Sequence, residues 1–151
     1  MMINIEQMIR YDRWANLACV TALKHADLAN QKAVGILGHI VGINEMSLTR
    51  AEGANPTLGA WPSVTLAAAE DWTIRLCARW ISVMERTPKD LNLTYCDSRG
   101  QQRANSLTEL VQEVVLHAAH HRGQIALLLR IDGHEPPAST GFIPGLRSNL
   151  F

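Results

Sequence analysis

Two histidines in the C-terminal part of the chain have the spacing of a metal-binding pair. His117 and His121 are four residues apart. On a helix this spacing places two side chains on one face, with Cβ atoms about 5–6 Å apart. Val114 and Ile125 flank the pair at the same helical period, so the face is predicted to point into the core. Both imidazoles can therefore reach a single ion.

A third histidine lies on the apolar stripe of an earlier segment. His39 is three residues after Ile36 and four before Ile43. Burying three imidazoles costs free energy unless each is bonded, and one divalent ion bonds all three together. Three protein ligands also leave a position for water or substrate, as in catalytic zinc sites.

We therefore predict that His39, His117 and His121 bind one divalent metal ion. Zinc and nickel are the leading candidates, although imidazole ligands do not discriminate among the first-row metals. The alternative interpretation is that each histidine is a hydrogen-bonded residue of the core. The sequence contains no His-Glu-x-x-His, no Glu-x-x-His, no phosphate-binding loop and no Gly-x-Ser-x-Gly, which excludes the enzyme classes that these motifs mark.

Other polar residues near the pair are weaker candidates for chemistry. Gln124 lies three residues after His121, near the same face, and either bonds a metal-bound water or ligand or makes an interhelical hydrogen bond. It is the one candidate for a catalytic role. Arg122 and Arg130 are expected to be solvated at the surface, with pairing to an acidic neighbour or to an anionic substrate as alternatives. Gly123, in a helix interior, suggests the close approach of another helix.

Four segments with helical periodicity must position these residues. They run from about Ile5 to His25, Gln31 to Glu52, Leu66 to Arg86, and Ser106 to a stop at Gly133. Capping-box patterns start the first helix, at Asn4 and Gln7, and the fourth, at Ser106 and Glu109. Residues 91–105 are predicted to form a short hairpin or an extended loop, and the tail from residue 138 is predicted to be irregular. The expected fold is an all-α four-helix bundle in a single domain spanning residues 1–151.

The composition limits the partners of the chain. The 151 residues (16.7 kDa) carry 14 Lys and Arg against 14 Asp and Glu, and nucleic-acid binding is not expected without a basic surplus. No apolar run approaches the roughly 18 residues of a membrane span, and the polar N-terminus does not resemble a signal peptide. Cys19, Cys77 and Cys96 form no Cys-x-x-Cys pair, so we expect reduced thiols, a cytoplasmic protein and burial of the first two.

Three segments resemble signatures of a known family. Residues 117–125 (HAAHHRGQI), continued by Gly133 and Pro136-Pro137, are similar to the C-terminal signature of the DinB/YfiT-like proteins. Residues 11–16 (YDRWAN) are similar to the N-terminal signature of that family. Residues 37–40 (LGHI) match the place where its second helix carries a ligand histidine. The resemblance covers nearly the whole chain, in the right order and spacing.

This resemblance implies a four-helix bundle, a metal site made of His39, His117 and His121, and a homodimer. Characterised relatives include metal-dependent transferases and isomerases that use low-molecular-weight thiols, while many other members have no known activity. The chain departs from the pattern at Gly141, where relatives often carry an aspartate. Whatever that carboxylate does in relatives is therefore not transferred to this chain.

Three functions remain open after these observations. The leading hypothesis is a metal-dependent enzyme that transfers a low-molecular-weight thiol to a small electrophile, or isomerises one with its help, because a bound metal lowers the pKa of a thiol or water. The alternative is a non-catalytic, stress-associated dimer in which the ion ties the second helix to the fourth. Nuclease activity is a third hypothesis, which the zero net charge disfavours.

Overall fold

The structure, a computed structural model, describes residues 4–26, 31–138 and 140–151. Within these residues the elements follow the order α1-α2-α3-β1-β2-α4-α5. The helices are α1 (Ile5–His25), α2 (Gln31–Glu52), α3 (Leu66–Arg86), α4 (Leu107–Ile131) and α5 (Phe142–Arg147), and the strands are β1 (Asn92–Cys96) and β2 (Gln102–Ser106). None of the described helices is both long and apolar enough to span a membrane.

Side-chain caps start two of the long helices where the sequence predicts them. Asn4 Oδ1 accepts a hydrogen bond from the backbone N–H of Gln7 at 2.7 Å, and the Gln7 side chain accepts one from the backbone of Asn4. Ser106 and Glu109 repeat this arrangement at the start of α4. Both capping boxes satisfy donors that a helix N-terminus leaves unpaired, and both are confirmed.

The four long helices pack as a bundle. Helix α2 lies against α3 and α4, and α1 lies against the same two helices from the other side. Apolar side chains from all four helices fill the space between them, among them Ile9, Leu23, Leu37, Leu48, Leu76, Trp80, Ile125 and Leu129. The predicted four-helix bundle is therefore confirmed, and the contact between α2 and α4 is the one that brings the three histidines together.

The segment between α3 and α4 is an antiparallel hairpin. Asn92 of β1 pairs with Ser106 of β2, and Cys96 pairs with Gln102. In the connecting turn, Asp97 Oδ1 accepts the backbone N–H of Arg99 at 2.9 Å. Of the two alternatives for residues 91–105, the hairpin is the one observed, and it leads directly into the N-cap of α4.

A buried ion pair joins α1 to α4, where surface solvation was expected for Arg122. Arg122 Nη1 lies 2.7 Å from Asp12 Oδ1 and 2.8 Å from Asn16 Oδ1. Both members of the ion pair are buried. A guanidinium on the buried face of α4 needs such partners, because an unpaired buried charge is strongly unfavourable. Surface solvation of Arg122 was therefore the wrong alternative, and pairing with an acidic residue is the one observed, whereas Arg130 is exposed as expected.

The C-terminal tail contains a short helix, so the prediction of an irregular tail was wrong. Helix α5 begins after Gly141 and lies against α1. A Cβ added to Gly145 would approach Phe151 at 2.7 Å and Trp14 at 3.0 Å, so the tail reaches the surface of α1 closely enough to require glycine there. Aromatic contacts, which have no simple periodicity in a short segment, hold this helix in place.

Gly123 does not serve the packing role that its position suggested. It is exposed, and a Cβ added there would meet no atom within 4 Å among the described residues. The close approach of another helix that Gly123 predicted is therefore not found among the described residues. The face of α4 that carries Gly123 is open in this chain.

Candidate metal centre

Three histidines from two helices converge at the contact between α2 and α4. One ring nitrogen from each of His39, His117 and His121 lies within 4.8 Å of the others. The Nε2 atoms of His39 and His117 are 3.1 Å apart. The structure thus brings together all three residues that the sequence singled out as candidate ligands.

Hydrogen bonds fix the orientation of two of the rings. The Nδ1 atom of His39 donates to the carbonyl oxygen of Ala60 at 2.6 Å. The Nδ1 atom of His121 donates to Oε1 of Gln124 at 2.7 Å. A neutral imidazole that donates from one nitrogen keeps a lone pair on the other, so both rings offer Nε2 as a metal ligand.

Gln124 therefore contacts a candidate ligand, although not in the interhelical way that one alternative expected. Its amide reaches His121 and also His120, with Gln124 Nε2 lying 3.3 Å from His120 Nε2. All three residues belong to α4. The contact holds the His121 ring within its own helix, which is the role of an outer-shell hydrogen-bond partner.

The environment of two of the imidazoles favours their neutral form. Burial, together with the neighbouring His121 and His39 rings, lowers the pKa of His117 to about 4. Burial also lowers the pKa of His39, while the hydrogen bond that its ring donates to the Ala60 carbonyl opposes this effect. Neutral rings have free lone pairs, and metal binding requires this form.

The donor set fits a divalent first-row metal ion. Tetrahedral ligands about 2.0–2.1 Å from one zinc ion lie about 3.3–3.4 Å apart, close to the 3.1 Å between His39 and His117. Among the described residues, no carboxylate or thiol joins the three-histidine group, so a three-ligand site with room for an exogenous ligand results. Without an ion, His117 can instead donate to His39, and this hydrogen bond is what the core-histidine interpretation requires.

A loop between α2 and α3 covers His39. The Trp61 ring stacks on the His39 ring with centroids 3.8 Å apart and planes 7° from parallel, and the side chain is still 64% exposed. Sequence reasoning missed both Ala60 and Trp61. A backbone carbonyl has no residue-type signal, and Trp61 lies between Gly59 and Pro62, outside the four segments with helical periodicity.

The remaining histidines and cysteines add no further ligand to this group among the described residues, although the His120 ring contacts the His121 ring with centroids 5.0 Å apart. His120 and His25 are exposed, and neither belongs to the three-histidine cluster. Cys19 and Cys77 are buried as expected, and Cys96 is exposed; all three are free thiols. Burial raises the pKa of the Cys19 thiol to about 12, so this thiol is an inert core residue rather than a nucleophile.

Comparison with known proteins identifies the family. The DinB superfamily profile matches residues 33–125, which include all three clustered histidines. The chain belongs to the DinB superfamily. The bundle with a hairpin between α3 and α4 is thus a DinB-type fold, and the resemblance seen in the sequence is confirmed. No curated protein and no solved structure matches the chain.

Proposed function

We propose that this DinB-superfamily protein is a metal-dependent enzyme whose ion is held by His39, His117 and His121. The observation that carries the proposal is the convergence of three imidazoles, two of them held by hydrogen bonds at Nδ1. Such outer-shell bonds are a regular feature of metal-binding histidines. Zinc or nickel suits this donor set.

The proposed reaction is transfer of a low-molecular-weight thiol to a small electrophile, or an isomerisation assisted by such a thiol. A divalent ion held by three imidazoles supplies Lewis acidity that lowers the pKa of a coordinated thiol or water. Trp61 stacks on His39 and is largely exposed, so it offers an apolar surface to a small substrate beside the histidines. The choice of a thiol rests on the resemblance to thiol-using relatives.

The chain's own residues contribute orientation rather than proton transfer in this proposal. Ala60 and Gln124 hold two rings with their Nε2 atoms directed inward. Neither Glu nor Asp of the described residues joins the ligand group, so no general base is assigned. In this proposal Gln124 is a positioning residue for His121 and not a catalytic residue.

Metal analysis of the purified protein tests the proposal. We expect about one ion per chain and loss of the ion in His117→Ala, because removing one of three ligands leaves the site incomplete. His25→Ala is the control, since His25 is exposed at the C-terminal end of α1 and outside the group. Unchanged metal content in His117→Ala, or equal loss in both variants, would contradict the assignment. The metal-loaded protein is then screened with cellular thiols and model electrophiles.

A second candidate function is a non-catalytic metal-binding, stress-associated protein. The ligands come from α2 and α4, so a bound ion would cross-link two helices of the bundle. Metal binding without any turnover in the thiol screen favours this candidate over the enzyme. Turnover that is abolished in His117→Ala and retained in His25→Ala favours the enzyme.

We also propose that the chain acts as one domain in a cytoplasmic homodimer. Large apolar side chains lie exposed on α4, including Leu116, Leu127 and Ile131, and exposed apolar area of this kind is typical of interaction surfaces. The three free thiols are consistent with a reducing compartment. Light scattering coupled to gel filtration measures the oligomeric state, and a monomer at micromolar concentration would contradict the dimer.

A further inference from the structure

One acidic side chain in the bundle is fully buried and hydrogen-bonded to a loop. Glu45 of α2 has 0% of its surface exposed. Its two oxygens accept the backbone N–H of Thr57 at 3.0 and 3.2 Å, the Thr57 hydroxyl at 3.0 Å and the backbone N–H of Leu58 at 3.2 Å. Backbone donors to a carboxylate are strong, charge-assisted bonds, so this carboxylate fixes the start of the loop.

Two glycines let the same loop lie directly on α2. A Cβ on Gly42 would clash with the carbonyl oxygen of Gly59 and come within 2.9 Å of Pro62. A Cβ on Gly38 would lie 3.0 Å from the carbonyl oxygen of Pro62. The backbones of the loop and helix are therefore in contact, and a side chain at Gly42 would force them apart.

The loop that Glu45 holds is the loop that orients His39. Two residues after Leu58, the Ala60 carbonyl accepts the Nδ1–H of His39, and Trp61 stacks on the same ring. His39, Gly42 and Glu45 follow one another at intervals of three residues, which places them on one face of α2. The loop packs against this face.

We propose that Glu45 is a positioning residue for the metal centre, acting on His39 through residues 57–61. The proposal rests on the proposed function, because it concerns the orientation of a metal ligand. Glu45 itself has both oxygens engaged by the loop and is not part of the three-histidine group. Its effect is to keep the Ala60 carbonyl where it selects the tautomer of His39 and aims its Nε2 inward.

The first test is Glu45→Gln, which replaces one acceptor oxygen with an amide that faces N–H donors. We expect the Thr57 and Leu58 amides to lose hydrogen-exchange protection in the metal-free protein. We also expect the Kd for zinc to rise at least about 10-fold, the usual effect of losing an outer-shell partner. Glu52→Gln is the matched control, because Glu52 is on the same helix and bonds Arg79 rather than the loop; its zinc Kd should stay within about twofold of the wild type.

The second test moves the loop without touching any polar side chain. Gly42→Ala forces the loop off α2 and should weaken zinc binding by a similar factor, while leaving Glu45 intact. Gly35→Ala is its control, since a Cβ there meets no atom of residues 4–26, 31–138 or 140–151 within 4 Å. Should Glu45→Gln fail to fold, as judged by circular dichroism, Gly42→Ala still decides the question.

The outcomes separate this proposal from the proposed function. If the wild type binds zinc, and Glu45→Gln and Gly42→Ala both bind it equally tightly, the positioning role of Glu45 is overturned. The assignment of the metal centre is then unaffected. A wild type that binds no zinc overturns both. Weakened zinc binding in both variants and in neither control supports the positioning role, provided that hydrogen exchange at Thr57 and Leu58 has changed in Glu45→Gln.

Discussion

At the scale of single residues, the candidate metal centre depends on groups that orient the histidines as much as on the histidines. His39, His117 and His121 are identifiable from residue type and spacing, because imidazoles on apolar faces need partners. The Ala60 carbonyl is not identifiable in this way, since every residue has one. The sequence puts Gln124 near His121, but only the structure shows that its side-chain oxygen accepts the Nδ1–H of His121.

Gln124 is expected to tune the affinity of the site for metal. Gln124→Leu removes the acceptor of the His121 Nδ1–H, so the ring loses its orientation and the Kd for zinc should rise about 10- to 100-fold. Gln124→Glu keeps an acceptor in the same place and should restore most of the affinity. Isothermal titration calorimetry measures both values.

The control for this prediction is Gln112→Leu, an exposed position on the same helix. If Gln124→Leu binds zinc as tightly as Gln112→Leu, the hydrogen bond to His121 does not orient a metal ligand. A Gln124→Glu variant as weak as Gln124→Leu would point to the same conclusion.

At the scale of elements, α4 is held on two faces by different chemistry. His117 and His121 face α2, and Arg122, one residue further on, faces α1 and the buried Asp12. Burial raises the pKa of the Asp12 carboxyl, and the adjacent Arg122 guanidinium opposes this effect. The ion pair therefore fixes how α4 sits on α1, which in turn fixes the direction of the histidine face.

Loss of Arg122 should destabilise the bundle strongly. Arg122→Leu leaves the Asp12 carboxylate buried without its cation, which typically costs about 3–5 kcal/mol in the free energy of unfolding. Replacing both partners, as in Asp12→Leu with Arg122→Leu, should recover much of this loss because no buried charge remains. Urea unfolding followed by circular dichroism gives the free energies. A loss below about 1 kcal/mol in Arg122→Leu, or no recovery in the double variant, would contradict this account of the pair.

At the scale of the whole molecule, local sequence signals predicted the architecture. They did not predict contacts between residues that are far apart in the sequence. The helix limits follow from periodicity and from the caps at Asn4 and Ser106, which involve residues three apart. The pairing of Asp12 with Arg122 joins residues 110 positions apart. The hydrogen bonds between Glu45 and the loop depend on how the chain folds back against α2 after that helix ends. Neither has a pattern within one segment, and the family assignment predicts neither contact.

The most direct test of the metal centre is X-ray absorption spectroscopy of the zinc-loaded protein. We predict three imidazole nitrogens at about 2.0–2.1 Å and at least one light-atom ligand from solvent, with a sulfur shell at about 2.3 Å appearing when a low-molecular-weight thiol is added. A spectrum with four protein ligands that does not change on adding thiol would contradict the open site. A spectrum without imidazole scattering would contradict the centre itself.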